Sequence, residues 1–118
     1  MDNMNSKLPG TMNIDFTAAT ERAMRVRRLY HKLEEQNHNT VWTPEEDMLA
    51  FVSDVGLLAR LVMASEGRWV HGGNLHVDLR SKMAECLWWL LVLSDRLGID
   101  ITEEFTSFMG KLDTKLDV

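Results

Sequence analysis

The stretch Ser81–Asp100, SKMAECLWWLLVLSDRLGID, constrains the fold more than any other part of the chain. Met83, Cys86/Leu87, Leu90, Leu93/Ser94 and Leu97 recur at three- and four-residue steps, the period of an α-helix. Gly98 stands where a left-handed C-terminal cap belongs, so the helix is expected to stop near Leu97. Trp88, Trp89, Leu91 and Val92 fill the remaining sides and make the middle of this helix apolar all round. Such a helix must be covered on more than one face, and part of that cover is expected from a second copy of the chain. Lys82 and Glu85 lie one turn apart near its start, with Trp89 on the same side.

A length of 118 residues implies one domain. The formal charge of −5, from 18 acidic and 13 basic residues, disfavours a DNA- or RNA-backbone binder and leaves small anionic ligands open. Cys86 is the only cysteine, which excludes an internal disulfide, and its place on the apolar stripe marks it as a small core residue. Residues 1–14 are polar, broken by Pro9-Gly10, and read as a flexible tail before a single helical domain over 15–118. They contain no apolar run of the secretory kind. The longest uncharged apolar run, Cys86 to Ser94, is too short to span a membrane. A cytoplasmic, soluble protein is the expectation.

Three more helices are legible. The first spans about Asp15 to Gln36, with an apolar stripe of Phe16, Ala19, Ala23, Val26, Tyr30 and Leu33. Arg22, Arg25, Arg27, Arg28 and Lys32 stand on its other faces, as a solvated surface or as a positive rim for phosphates. Thr43-Pro44-Glu45-Glu46 is a capping box with proline at the first helical position, opening a second helix to about Ala64. There Met48, Phe51, Val52, Val55, Leu58, Ala59 and Val62 read as the core-facing arc, with Asp47 and Asp54 to one side among leucines. Periodicity fails over 67–77, where Gly72-Gly73 between Trp69-Val70-His71 and Asn74-Leu75-His76 suggests a small hairpin or an ordered loop. No ligand set completes a metal site around His71 and His76. Asp100-x-x-Glu103 opens a fourth helix with a stripe of Phe105, Phe108/Met109, Leu112 and Leu116, and Lys111 and Lys115 in its last turns. The result is an all-α four-helix bundle.

Two segments carry a resemblance. Asp54-Val55-Gly56-Leu57-Leu58-Ala59, followed by Ala84-Glu85-Cys86-Leu87-Trp88-Trp89-Leu90-Leu91 and Asp95-Arg96-Leu97-Gly98-Ile99-Asp100, resembles the MazG-like nucleotide pyrophosphohydrolases over roughly residues 16–116. The resemblance implies an all-α fold completed by oligomerisation, as a dimer or dimer of dimers. It also implies hydrolysis of a nucleoside triphosphate to a monophosphate and pyrophosphate, with Mg2+ held by an ExxE motif on one helix and an ExxD motif on a later one. Acids three residues apart share a helix face, and two such pairs on facing helices make an oxygen cage for a hard cation.

This chain departs from that pattern at the cage. Asp54 holds one position of the first motif, but Leu57 replaces its second acid and Ser53 a commonly acidic neighbour. Lys82 replaces a glutamate of the second motif, where Glu85 holds the aspartate position. Lys111 and Lys115 correspond to basic residues of the family's last helix, while Leu112 falls where asparagine is usual. With two of four ligand positions lost, weak or absent catalysis is expected. Three readings stay open: a reduced but working Mg2+ site on Asp54 and Glu85; a site in which Lys82 pairs with both and replaces the metal; and a cleft that binds a nucleotide or other phosphate without hydrolysis, through Lys82, Lys111, Lys115, Arg25 and Arg28. A fourth, plainer possibility leaves Lys82 and Glu85 in solvent at a frayed helix start.

Overall fold

The computed structural model describes residues 15–116, and the tail expected over 1–14 lies outside them. Four helices follow in order: α1 Phe16–His38, α2 Pro44–Ser65, α3 Leu75–Arg96 and α4 Ile101–Leu116. Among the described residues there is no strand, and the architecture is an all-α four-helix bundle.

Local chemistry sets the helix ends. The side chain of Asp15 accepts from the Ala18 N–H at 2.7 Å and caps α1. Thr43 and Glu46 form the reciprocal capping box of α2. Asn39 at φ 54° ends α1, and Gly98 at φ 72° ends α3, both in the left-handed region that Gly and Asn tolerate. The hairpin suggested around Gly72-Gly73 does not form. Asn74 accepts from the Val77 N–H, so α3 already begins at Leu75. Lys82 and Glu85 therefore sit about two turns inside the helix, away from its frayed end.

Helix α3 is the centre: α1, α2 and α4 all pack on it, α1 also packs against α4, and α2 reaches α1 through the Arg27–Asp47 ion pair. The core joins Ala23 and Met24 of α1 to Leu91 and Val92 of α3, with Ala19, Trp88 and Ile101 against them. An edge-on pair, Phe16 with Phe105 at 5.3 Å, ties α1 to α4.

Three face assignments made from periodicity are corrected by this packing. Trp89, Leu91 and Val92 are buried by the chain's own helices, with no second copy, while Met83, Leu87, Leu90 and Leu97 are exposed. On α1 the buried side is Ala23, Met24 and Arg27, and Val26, Tyr30 and Leu33 face out. On α2 the side toward α3 carries Asp47, Asp54, Leu58 and Leu61; of the expected core arc Leu58 and Phe51 are partly buried, while Met48, Val52, Val55, Ala59 and Val62 are exposed. The reason is common to all three. Each helix carries apolar residues on two sides, and buried charge pairs choose which side turns inward.

Candidate functional site

Asp47 and Asp54 lie two turns apart on one face of α2, so both project toward α3. Each anchors a cluster of charge.

At Asp54, one carboxylate oxygen accepts from the Trp89 indole Nε1 at 2.7 Å, and the other accepts from the Lys82 ammonium at 3.2 Å. The same ammonium donates to Glu85 Oε1 at 2.8 Å. Lys82 thus stands between Asp54 and Glu85, at hydrogen-bond distance to both. Burial works against the charge on Asp54, but the indole and ammonium hydrogen bonds outweigh it and hold its pKa below the usual carboxylate range. The hydrogen bond to Glu85, reinforced by Asp54, raises the Lys82 pKa further above its ordinary value, so the ammonium stays charged through the physiological range.

The trio opens onto a cleft of about 500 Å3 lined by Leu57, Arg60, Trp69, His71, Lys82 and Glu85, among others. The Arg60 guanidinium stacks 4.9 Å over the Trp69 ring, and His71 Nε2 meets Asp78 Oδ2 at 2.7 Å. Leu57 is half-exposed on this cleft, and Ser53 is exposed on α2. Arg25 and Arg28 are exposed on α1, Lys111 and Lys115 are exposed on α4, and none of the four lines the cleft.

A divalent cation bridging Asp54 and Glu85 would have to displace the Lys82 ammonium. Magnesium binds oxygen ligands in near-octahedral geometry. The available acids are already spanned by a cation fixed at hydrogen-bond distance to both. Among the described residues, no group of three His, Cys, Asp or Glu side chains converges elsewhere.

The second cluster was not expected from the sequence. Asp47, fully buried, accepts from Arg27 Nη2 at 2.7 Å and from Arg96 Nη1 at 2.7 Å. Arg27, only 2% exposed, also donates to Glu34 at 2.8 Å. Glu34 and Arg96 then fasten the α1–α2 connector, to the N–H and the carbonyl of Trp42 respectively. Two guanidinium groups and two carboxylates cancel, and they join α1, α2, α3 and the connector. Burial alone would lower the Arg27 pKa and raise that of Glu34. Their mutual hydrogen bond, with Asp47 on one side and the Trp42 N–H on the other, reverses both effects. Trp89 links the clusters: it donates to Asp54, and its ring lies 5.7 Å from the Arg27 guanidinium carbon. A signal for this cluster was present, since Met24, Arg27, His31 and Glu34 follow a three-four-three spacing along one side of α1.

His31 sits beside this network with Nε2 buried and lacking a hydrogen-bond partner. Burial, then the positive charges of Arg27 and Arg96, lower its pKa below 6.5 despite Glu34 and Asp47 nearby. The folded state therefore holds neutral His31 where the unfolded chain binds a proton, and stability falls as pH drops from about 6.5 toward the lower folded value. Urea unfolding between pH 7.5 and 5.5 is expected to show this loss, and His31→Leu is expected to flatten it. An unchanged slope in His31→Leu would assign the pH dependence elsewhere.

In comparisons with known proteins, no family model, no curated protein and no solved structure matches this chain.

Proposed function

We propose that the chain is a MazG-like helical protein in which the Lys82 ammonium takes the place of the catalytic cation, so that it neither binds Mg2+ appreciably nor hydrolyses nucleoside triphosphates above background. The observation that supports this is the position of Lys82 Nζ, 3.2 Å from Asp54 and 2.8 Å from Glu85. A lysine at that point neutralises one of the two acids permanently and repels any divalent ion approaching the other. The rest of the arrangement agrees: Leu57 offers no oxygen to the cleft, and the indole of Trp89 occupies the remaining oxygen of Asp54.

A second reading, capture of a phosphate compound without hydrolysis, draws on Arg60. Its guanidinium stacks on Trp69 at the cleft, and among the described residues no carboxylate pairs with it. A planar ring and an anion are the groups such a pair recognises.

One pair of measurements tests the proposal and separates the readings. Calorimetric titration of the protein with Mg2+ or Mn2+ is expected to give no binding heat, and pyrophosphate release from a panel of deoxynucleoside triphosphates is expected to stay at background. Metal-independent nucleotide binding in the same calorimeter would favour the second reading. Robust Mg2+-dependent release, abolished by Asp54→Asn or Glu85→Gln, would overturn both.

A further inference from the structure

The basic run of α1 is used by the two charge clusters only through Arg27. Residues 22–33 hold five of the chain's 13 basic residues and none of its 18 acidic ones. Arg27 turns into the core with Ala23 and Met24. Arg22, Arg25, Arg28 and Lys32 turn outward and are exposed, and none of them forms an ion pair with another described residue. Val26, Leu29 and Leu33 stand among them at helical spacing and are exposed as well, Leu29 at 60%. Helix α3 covers the opposite side of α1, and α4 meets α1 near its start, through Phe16–Phe105 and Thr17–Thr102. From Arg22 to Leu33 the outer face is therefore a mixed strip of free cations and apolar side chains in water.

We propose that this face docks on a bilayer carrying anionic headgroups, with α1 lying along the surface. Charge complementarity carries the choice. A cluster of four Lys and Arg on one helix is the pattern that reads an anionic lipid surface, and each such cation is worth about fivefold in partition. The apolar residues account for what charge alone leaves unexplained. Val26, Leu29 and Leu33 enter the boundary between headgroups and acyl chains, while the long Arg and Lys stems reach back to the phosphates. Outside residues 22–33 the chain has eight basic residues against all 18 acidic ones. That asymmetry orients the molecule with α1 toward the membrane and its acidic remainder away from it.

Other anionic partners fit this face less well. A nucleic-acid backbone offers nothing to Val26, Leu29 and Leu33, and the net charge of −5 opposes binding to a long polyanion. An acidic partner helix needs a groove to lie in. One side of a single helix is a ridge, and the apolar groove of about 640 Å3, lined by Phe16, Met48, Phe51 and Phe105 among others, includes no residue of 22–33. By length and composition α2 could cross a membrane, but insertion would pull Asp47 and Asp54 away from Arg27, Arg96 and Lys82.

The proposal is independent of the role given to Lys82. The full chain is expected to cosediment with phosphatidylcholine–phosphatidylglycerol vesicles and not with phosphatidylcholine alone. It is expected to be released in about 1 M salt, where the screening length is about 3 Å. Arg25→Gln with Lys32→Gln is expected to weaken the partition roughly 25-fold, and Leu29→Gln roughly tenfold. Helical circular dichroism stays unchanged, because all three side chains are exposed. Arg68→Gln with Arg80→Gln removes the same charge from exposed positions outside α1 and is expected to leave the partition unchanged. Absence of cosedimentation with the mixed vesicles overturns the proposal. So does equal binding to neutral vesicles, equal loss in both charge pairs, or binding that survives about 1 M salt, the mark of an inserted α2. Heparin bound more tightly than the vesicles also overturns it, since the face would then be a general polyanion site.

Discussion

Asp47→Ala is expected to destabilise the domain by about 3–5 kcal/mol, the range found when one partner of a buried ion pair is removed. The carboxylate is fully buried and holds two guanidinium groups at 2.7 Å. Its loss leaves Arg27 at 2% exposure with Glu34 as its remaining partner, and leaves Arg96 with only the Trp42 carbonyl. A domain of this size has about 5–15 kcal/mol in total, so the change consumes much of its stability and lowers Tm by roughly 15 °C. Urea unfolding at one fixed protein concentration checks it, because association also shifts apparent stability. Arg27→Met combined with Asp47→Leu is expected to recover a large part of the loss, since the apolar pair leaves fewer buried charges unpaired. A loss below about 1 kcal/mol in Asp47→Ala, the size of a helix-cap effect, would show that the network does not bind the three helices together.

The second large effect concerns cation affinity. Two carboxylates and one ammonium give the Asp54–Lys82–Glu85 trio a net charge of −1. Lys82→Glu with Leu57→Glu would surround the same point with four carboxylates, net −4, because Leu57 lines the same cleft. An ammonium about 4 Å from a cation costs roughly 4 kcal/mol per unit charge at an effective dielectric near 20. For a divalent ion the cost doubles, so removing the ammonium is worth at least about a thousandfold in affinity. The double variant is expected to bind Mg2+ or Mn2+ measurably by calorimetry and to release some pyrophosphate, with each single change giving less. Leu57→Glu by itself, at a half-exposed position, is expected to alter stability by no more than about 0.5 kcal/mol. Absence of metal binding in the double variant would mean that α2 and α3 do not present these four positions to one point.

The contrast between the clusters explains what could be read in advance. Lys82 and Glu85 are one turn apart on a single helix, and Asp54 stood beside them through a resemblance of two motifs. Their meeting was thus one reading among several before any coordinates. The Asp47 cluster draws on three helices and a connector. Only packing brings Arg27 and Arg96 together, and on α1 alone Arg27 looked like one more member of a solvated basic face.

By itself the sequence determined the number and order of the helices, the capping box at Thr43 and the left-handed stop at Gly98. These are local matters: backbone caps, φ preferences and a 3.6-residue period are settled within a few residues of chain. Which side of each helix turns inward was decided by tertiary structure alone. Trp89, Leu91 and Val92 went into the core while Leu87 and Leu90 stayed out, and α2 turned Asp47 and Asp54 toward α3 and left Val52 in water. Apolar periodicity cannot rank two apolar faces of one helix. The choice falls to the charges, because a carboxylate turned inward must find its guanidinium or ammonium on another helix, and only the folded chain has one there.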